Sequence, residues 1–411
     1  MKNTMHVKHL TWLVCWVLVS RIWMMPHIAW DIGKDAPAYV HSLLLDPTYN
    51  VPMPGNIGFV LLGRVFQNIG LASTHVFWAV TTVFTCIGVG FTYALAALWV
   101  PQHLAALAAF AFSCNNMVWY HGLIINSYII WAAVFPAMLY FGVRFLREQQ
   151  PSMLIATAWS LGIATFFRQD MVMFGSPLLA VFLCLGKASK QAWFKCIGIC
   201  ALCCVLWFGM SAYTIGGVTP YLARVAAQHA YHTHHFSFAS KGWFEGLLRN
   251  LGKYGVMLVW ATHVWLIPVM GFTWHVLRHM KQHLKQILTV AAWMVPFWYF
   301  AWFIFMGNAG LLLPAIQAVV LIATYALWRW EKQHPWKGFA TLSAALGCFL
   351  FATQFAGIPL LPNNTPLQKI ANVTFLRYSK HGLYTHYSQN MSDFGMDTSL
   401  SSVLDAFKTN H

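Results

Sequence analysis

The stretch YGVMLVWATHVWLIPVMGFTWHVL, from Tyr254 to Leu277, contains no Asp, Glu, Lys or Arg. A run of roughly 20 such residues is long enough to cross a bilayer. Comparable runs recur along the chain, near 10–29, 75–99, 103–120, 126–145, 153–167, 171–186, 195–214, 254–277, 286–306, 311–328 and 338–357, about eleven by hydropathy. Only 9% of the 411 residues are charged and 59% are hydrophobic, whereas a soluble domain carries about 25% charged residues. Too little polar surface remains to cover a water-facing globule. The expected fold class is therefore an all-α polytopic membrane protein, a bundle of about 11 transmembrane helices.

The formal charge of +15 raises nucleic acid as a partner, but the placement of the charges excludes it. With the N-terminus cytoplasmic, one side of the membrane receives Lys2, Lys8, Arg144, Arg147, Lys187, Lys190, Lys195, Arg278, Lys281, Lys285, Arg329, Lys332 and Lys337, in short loops, against only Glu148 and Glu331. This is the positive-inside pattern, so the excess charge is topological. It predicts a cytoplasmic N-terminus and an extracytoplasmic C-terminus, and a bacterial inner membrane is the expected location. The first apolar run ends in the bulky SRIWMMPHIAWD, without a small-residue cleavage site, and is expected to stay as a helix. Cys196, Cys200, Cys203 and Cys204 cluster in FKCIGICALCCVLWFG. No His or carboxylate accompanies them, so helix packing is expected in place of a metal site.

With this orientation the substantial polar segments all fall outside. They divide the chain into a transmembrane domain over 1–357, with outer loops at 30–74 and 215–253, and a short extracytoplasmic tail over 358–411. The polar pieces FFRQD (166–170) and FMGNAG (305–310) emerge on the same face. Within the first loop, NIGFVLLGRVFQNIG (56–70) has apolar residues at helical spacing and is expected to form an interfacial helix with Asn56 capping its start. The second loop reads as further helical pieces. The first loop also holds three of the ten acidic residues, Asp31, Asp35 and Asp46. If the backbone is helical there, Asp31 and Asp35 share a face. Close carboxylates raise at least one pKa, which suits a general base. Spacing alone fits a pair of solvated loop acids better.

Three elements shift that balance. KDAPAYV (34–40), followed by VPMPGNIGFVLLGRVF (51–66), resembles the first outer loop of GT-C-type glycosyltransferases, membrane enzymes that use a polyprenyl-phosphate-linked sugar. SLGIATFFRQDMVMFGSPLLA (160–180) is similar to the family's FRPD-containing element, and FMGNAGLLLPAIQAVV (305–320) to its late LLP element. Met53 stands where one proline is usual, Ile57–Gly58 replaces tyrosine-proline, and Leu311 stands where tyrosine is common. The resemblance implies a GT-C-like bundle with extracytoplasmic interfacial helices. Asp35 would be the catalytic base and Asp31 a helper. Tyr39, Pro54, Gly55, Asp170 and Asn308 would bind substrate. The implied partners are a polyprenyl-phosphate sugar donor, a lipid, glycan or protein acceptor, and membrane lipids, with inversion at the anomeric carbon.

A phosphate leaving group calls for cations at the rim. Arg168 is the first candidate because guanidinium pairs with phosphate oxygens in a bidentate fork. Its other reading is an ion pair with Asp170. Arg21, near the outer end of the first helix, is the second candidate, although snorkelling towards water is the more ordinary expectation. The histidines His229, His232, His234 and His235 bring in a divalent cation, which some relatives use, but no metal ligands are assigned. A transporter or flippase of lipid-linked sugars is the alternative class. It should show charges at mid-membrane and inverted repeats, neither of which the sequence displays.

Overall fold

The computed structural model describes residues 2–24, 39, 56–71, 73–304 and 309–356, which are helical with no strand among them. In chain order the helices are α1 (Lys2–Met24), α2 (Ile57–Asn68), α3 (Ser73–Ala96), α4 (Gln102–Cys114), α5 (Asn116–His121), α6 (Ile129–Glu148), α7 (Pro151–Phe167), α8 (Met171–Leu185) and α9 (Lys190–Thr214). They continue with α10 (Val218–Phe236), α11 (Trp243–Thr262), α12 (Leu266–Arg278), α13 (Leu284–Tyr299), α14 (Leu313–Gln333) and α15 (Phe339–Ala356). Local chemistry sets several boundaries. Pro151 opens α7 at its first turn, where a missing N–H costs nothing. The Ser189 hydroxyl accepts from the Ala192 N–H to cap α9, and Gln149 ends α6 in the left-handed region at φ 53°.

Among the described residues, five helical stretches are long and apolar enough to cross a membrane: His75–Ala96, Ile129–Glu148, Lys190–Thr214, Leu284–Ile304 and Gly310–Gln333. Shorter apolar helices occupy Gln102–Cys114, Pro151–Phe167, Met171–Leu185 and Phe339–Leu350. The chain is an integral membrane protein. Two expected spans, however, are not single helices. The stretch near 103–120 breaks at Asn115, whose backbone is extended (φ −60°, ψ 134°). The stretch 254–277 is divided between α11 and α12, which meet at a 100° bend. The bend carries His263 at φ 42°.

One side chain serves both breaks. Asn115 Oδ1 accepts from the Met117 N–H (3.0 Å) and so caps α5, while its Nδ2 donates to the Ala261 carbonyl (2.7 Å) near the end of α11. Non-helical backbone inside a membrane protein requires such partners, because no water is present to supply them.

Lipid is as apolar as the helix surfaces, so the bundle is held by close packing and buried hydrogen bonds. At the α3–α6 crossing, a Cβ on Gly88 would come within 2.6 Å of the Ala132 carbonyl oxygen. Beside it, Gln317 of α14 donates to Thr92 Oγ1 (2.7 Å) and to the same Ala132 carbonyl (3.3 Å). Gly88→Ala is expected to cost about 1–3 kcal/mol through backbone displacement, read as a lower thermal midpoint in detergent. A wild-type midpoint would contradict this crossing.

The cysteines of α9 pack as expected. The Cys196 and Cys200 thiols face the Leu154 and Ala158 carbonyls of α7 at 3.8 and 3.9 Å, and Cys203 rests against Gly162. Elsewhere on α9, Phe194, Ile197 and Val205 are exposed, as suits contact with lipid.

Beneath the 168–170 turn lies an aromatic core. Phe174 stacks on Phe297 with centroids 4.3 Å apart, Trp131 meets both edge-on, and Phe135 meets Phe297 at 5.0 Å. Tilted and edge-to-face pairs of this kind contribute about 0.5–1.5 kcal/mol each beyond area burial. They also fix Trp131, whose upper face enters the site.

Candidate active site

The connection from α4 to α6 looks in sequence like a short loop between spans. It is instead a buried platform, with every residue from 117 to 133 buried. Two polar contacts help to hold it: Asn126 Oδ1 accepts from the Tyr128 N–H (2.8 Å), and Thr81 Oγ1 donates to the Gly122 carbonyl (2.9 Å).

Ser127 is the hub of this platform. Its Oγ lies 3.0 Å from Arg168 Nη1, 3.3 Å from the Tyr39 hydroxyl and 3.3 Å from Asn56 Nδ2. Asn56 Nδ2 also donates to the Tyr39 oxygen at 2.6 Å. Asn56 does precede α2, but its side chain makes no cap hydrogen bond. The expectation that it caps the helix is therefore corrected. The Asn56 Nδ2 instead reaches the Tyr39–Ser127 pair, which joins the first outer segment to the platform.

Arg168 is set by its surroundings on every side. Its backbone is extended (φ −152°, ψ 112°) and ends α7. Nη2 lies 2.6 Å from Asp170 Oδ2, and Nε lies 3.1 and 3.2 Å from the two carboxylate oxygens. The guanidinium carbon sits 4.2 Å from the Tyr128 ring centroid and 4.5 Å from that of Trp131. The ion pair with Asp170 is thus real, and the side chains are only 13% and 15% exposed. Burial alone would disfavour the Arg168 charge. The Asp170 carboxylate, together with the Tyr128 and Tyr39 hydroxyls, outweighs this and holds the guanidinium above its ordinary value. Of five guanidinium N–H bonds, three have acceptors among the described residues, leaving two for a ligand.

The late element arrives at the same place. A Cβ on Gly310 would come within 2.5 Å of the Tyr128 ring, so only glycine admits that ring beneath Arg168. Leu311, Leu312 and Leu313 are fully buried behind it. Tyr39, the Arg168–Asp170 pair and Gly310 come from three distant motifs and converge on Ser127 and Tyr128.

Arg21 is placed differently from expectation. It is 2% exposed, so it does not snorkel. Its guanidinium carbon lies 4.5 Å from the Trp119 ring centroid. Nη2 donates to the Ser113 carbonyl at 3.3 Å and Nη1 to Ser20 Oγ at 3.2 Å. The physical reason is the break at Asn115. The Met117 N–H has turned to the Asn115 side chain, so the Ser113 carbonyl lacks its usual i+4 donor and takes Arg21 instead. Nε has no hydrogen-bond partner among the described residues. His121 is completely buried, and burial, followed by the nearby Arg168 charge, pushes its pKa down to about 3. It is a neutral ring at physiological pH.

Asp31, Asp35, Pro54, Gly55 and Asn308 lie outside the described residues. Among the described residues no three His, Cys, Asp or Glu side chains gather where they could hold a metal ion. Sequence reasoning missed Ser127, Tyr128, Trp131 and Trp119. The signal was the polar triplet Asn126–Ser127–Tyr128, which interrupts an otherwise apolar run.

Ser127→Ala is expected to cost about 1–3 kcal/mol, because Arg168, Tyr39 and Asn56 all lose a buried acceptor. In a double-mutant cycle with Tyr39→Phe the coupling should be about 0.5 kcal/mol or more. Strictly additive thermal shifts would show that the two hydroxyls do not interact.

No family model matches the chain, and no curated protein matches its sequence. Solved structures do. ArnT from Cupriavidus metallidurans bound to undecaprenyl phosphate aligns with TM-score 0.56 and 15% identity, over 86% of this chain and 66% of that one. The apo state of the same protein gives 0.48 and 16%, over 87% and 67%. The archaeal oligosaccharyltransferase AglB from Archaeoglobus fulgidus, in complex with an inhibitory peptide and a dolichol-phosphate, gives 0.49 and 13%, over 92% and 60%. The chain thus spans 66% of the length of the undecaprenyl-phosphate-bound ArnT chain. At such identity the likeness speaks to architecture, and it is the first of these that carries it: this chain has the fold of the GT-C membrane glycosyltransferases.

Proposed function

We propose that this protein is a membrane glycosyltransferase that moves a sugar from a polyprenyl-phosphate donor to an acceptor hydroxyl on the extracytoplasmic face. The observation that carries the reading is the convergence on Ser127 and Tyr128. Tyr39 is four residues from Asp35, and it is hydrogen-bonded to the hydroxyl that also holds Arg168. Tyr39, from the motif that contains Asp35, and the fixed Arg168 guanidinium thus meet on one platform, in a chain whose fold is shared with an ArnT bound to undecaprenyl phosphate.

In this reading the Asp35 carboxylate takes the proton of the acceptor hydroxyl as its oxygen bonds to the anomeric carbon. The bond from that carbon to the phosphate oxygen breaks with inversion, and polyprenyl phosphate leaves as the anion. Arg168 offers its two remaining N–H bonds to the departing phosphate. Asp170 and the Tyr128 and Trp131 rings keep the guanidinium plane fixed, so little reorganisation is needed as charge develops. Asp31 assists the base. Arg21, already desolvated and lacking a carboxylate partner among the described residues, supplies a second cation for the phosphate. Pro54, Gly55 and Asn308 are assigned to substrate binding in this reading. The sugar acceptor is a lipid, glycan or protein, and a divalent cation is not required by any step.

The reading is tested by binding of the product lipid. Full-length protein in neutral-lipid nanodiscs should bind polyprenyl phosphate at least tenfold more tightly than the uncharged polyprenol, and Arg168→Gln should remove that preference. Equal affinity for the two lipids would sink the phosphate site.

A further inference from the structure

At the opposite end of the bundle, α12 and α14 present a basic edge with no role in the reaction proposed above. Phe272 packs edge-on against Tyr325 at 5.4 Å, and Tyr325 lies 5.8 Å from Trp328, so the two helices are in register here. Residues 325, 328, 329 and 332 share one side of α14 by helical spacing. Arg329 consequently lies within electrostatic reach of His275 on α12. One turn beyond His275, the Arg278 guanidinium stacks over Trp274 at 4.7 Å, and Lys332 Nζ lies 4.2 Å from the Trp328 centroid. Lys281 and Lys285 follow in the next turn and helix, both exposed.

The one carboxylate on this part of α14, Glu331, is already engaged. Its two oxygens accept from the Gly338 and Ala340 N–H groups at 3.1 and 2.7 Å, capping α15. Among the described residues no acid forms an ion pair with Arg278, Arg329 or Lys332. A soluble anion is a poor fit, because the frame around the cations is interfacial. Trp274 and Trp336 are largely exposed, as are Leu277, Met280 and Leu284. Tryptophan with exposed aliphatic side chains marks the headgroup level of a bilayer.

We propose that this edge is a binding site for the headgroup of an anionic phospholipid, held by Arg278, Arg329 and Lys332 and framed by Trp274 and Trp328. Charge complementarity selects the anionic headgroup, and the tryptophan frame fixes its depth. The site stands independently of the sugar-transfer reading.

The test is native mass spectrometry of the full chain released from neutral detergent after incubation with equimolar phosphatidylglycerol and phosphatidylcholine. Wild type should retain phosphatidylglycerol preferentially. Each basic residue near a membrane surface corresponds to roughly a fivefold change in affinity for anionic lipid. The variant Arg278→Gln/Arg329→Gln/Lys332→Gln should therefore lose the preference by at least tenfold while keeping its helical circular dichroism. Lys187→Gln/Lys190→Gln/Lys195→Gln, which removes the same charge from a different loop, should keep it. Undiminished preference in the first variant, or equal loss in both, would overturn the site and leave only diffuse attraction to net charge.

Discussion

Asp35→Asn is expected to reduce sugar transfer by about 10²–10⁴-fold, the range that a positioned general base contributes. The carboxamide keeps the shape of the side chain but cannot take a proton, so the loss should fall on kcat. Donor binding should change little, because the proposed phosphate contacts belong to arginines. Asp31→Asn should cost far less. If Asp31→Asn abolished transfer and Asp35→Asn did not, the base would be the earlier carboxylate. If transfer survived both changes, neither residue would be the base. The measurement is steady-state release of polyprenyl phosphate by each variant in lipid.

The second large effect concerns stability. Asp170→Asn leaves the Arg168 guanidinium, nearly buried between two aromatic rings, without its counter-charge. Breaking a buried pair from one side typically costs about 3–5 kcal/mol, whereas replacing both partners with apolar groups is often close to neutral. Asp170→Asn should therefore lower the unfolding midpoint sharply, and Arg168→Met/Asp170→Leu should recover much of it. Activity should not recover in the double variant, since the cation itself is gone. This split separates a structural pair from a functional one. A double variant that regained both stability and transfer would show that Arg168 only holds the turn together.

Much of this site could be read from the sequence because it lies in polar punctuation between apolar runs. FFRQD marked Arg168 and Asp170 as residues of a polar piece on the outer face, and FMGNAG marked a second piece on that face; the close approach at Gly310 itself was not legible. Tyr39 was marked by its motif, although its partner was not. What escaped is equally physical. Asn115 lies in the short polar piece SCNN, and Asn126 and Ser127 in NSY, each within otherwise apolar sequence, and a hydropathy window of roughly 19 residues averages so short an interruption away. Yet these three residues break a helix, cap another and anchor the platform. The run 254–277 shows the same blindness, since composition reports that a stretch is apolar and not whether it bends.

Arg21 illustrates another gap. Position along a helix does not reveal whether a side chain faces the bundle or the rim. Snorkelling is the ordinary outcome for an arginine near a helix end, but here an unbonded carbonyl at Ser113 and the Trp119 face draw it inward. Asn56 was placed correctly as the residue preceding α2. Its side chain donates to a tyrosine hydroxyl instead of capping, a contact that no local rule contains.

The measurement that bears most directly on the central claim is release of polyprenyl phosphate by the wild-type protein. Protein in liposomes would be supplied with a panel of polyprenyl-phosphate sugars and a cell-envelope extract as acceptor source, with flipping of a labelled donor followed in the same vesicles. Release of polyprenyl phosphate from at least one donor, dependent on Asp35 and accompanied by appearance of the sugar on the extract, is the predicted result. Donor that crosses the bilayer intact, with no polyprenyl phosphate formed, would contradict the account and make this fold a carrier of lipid-linked sugars.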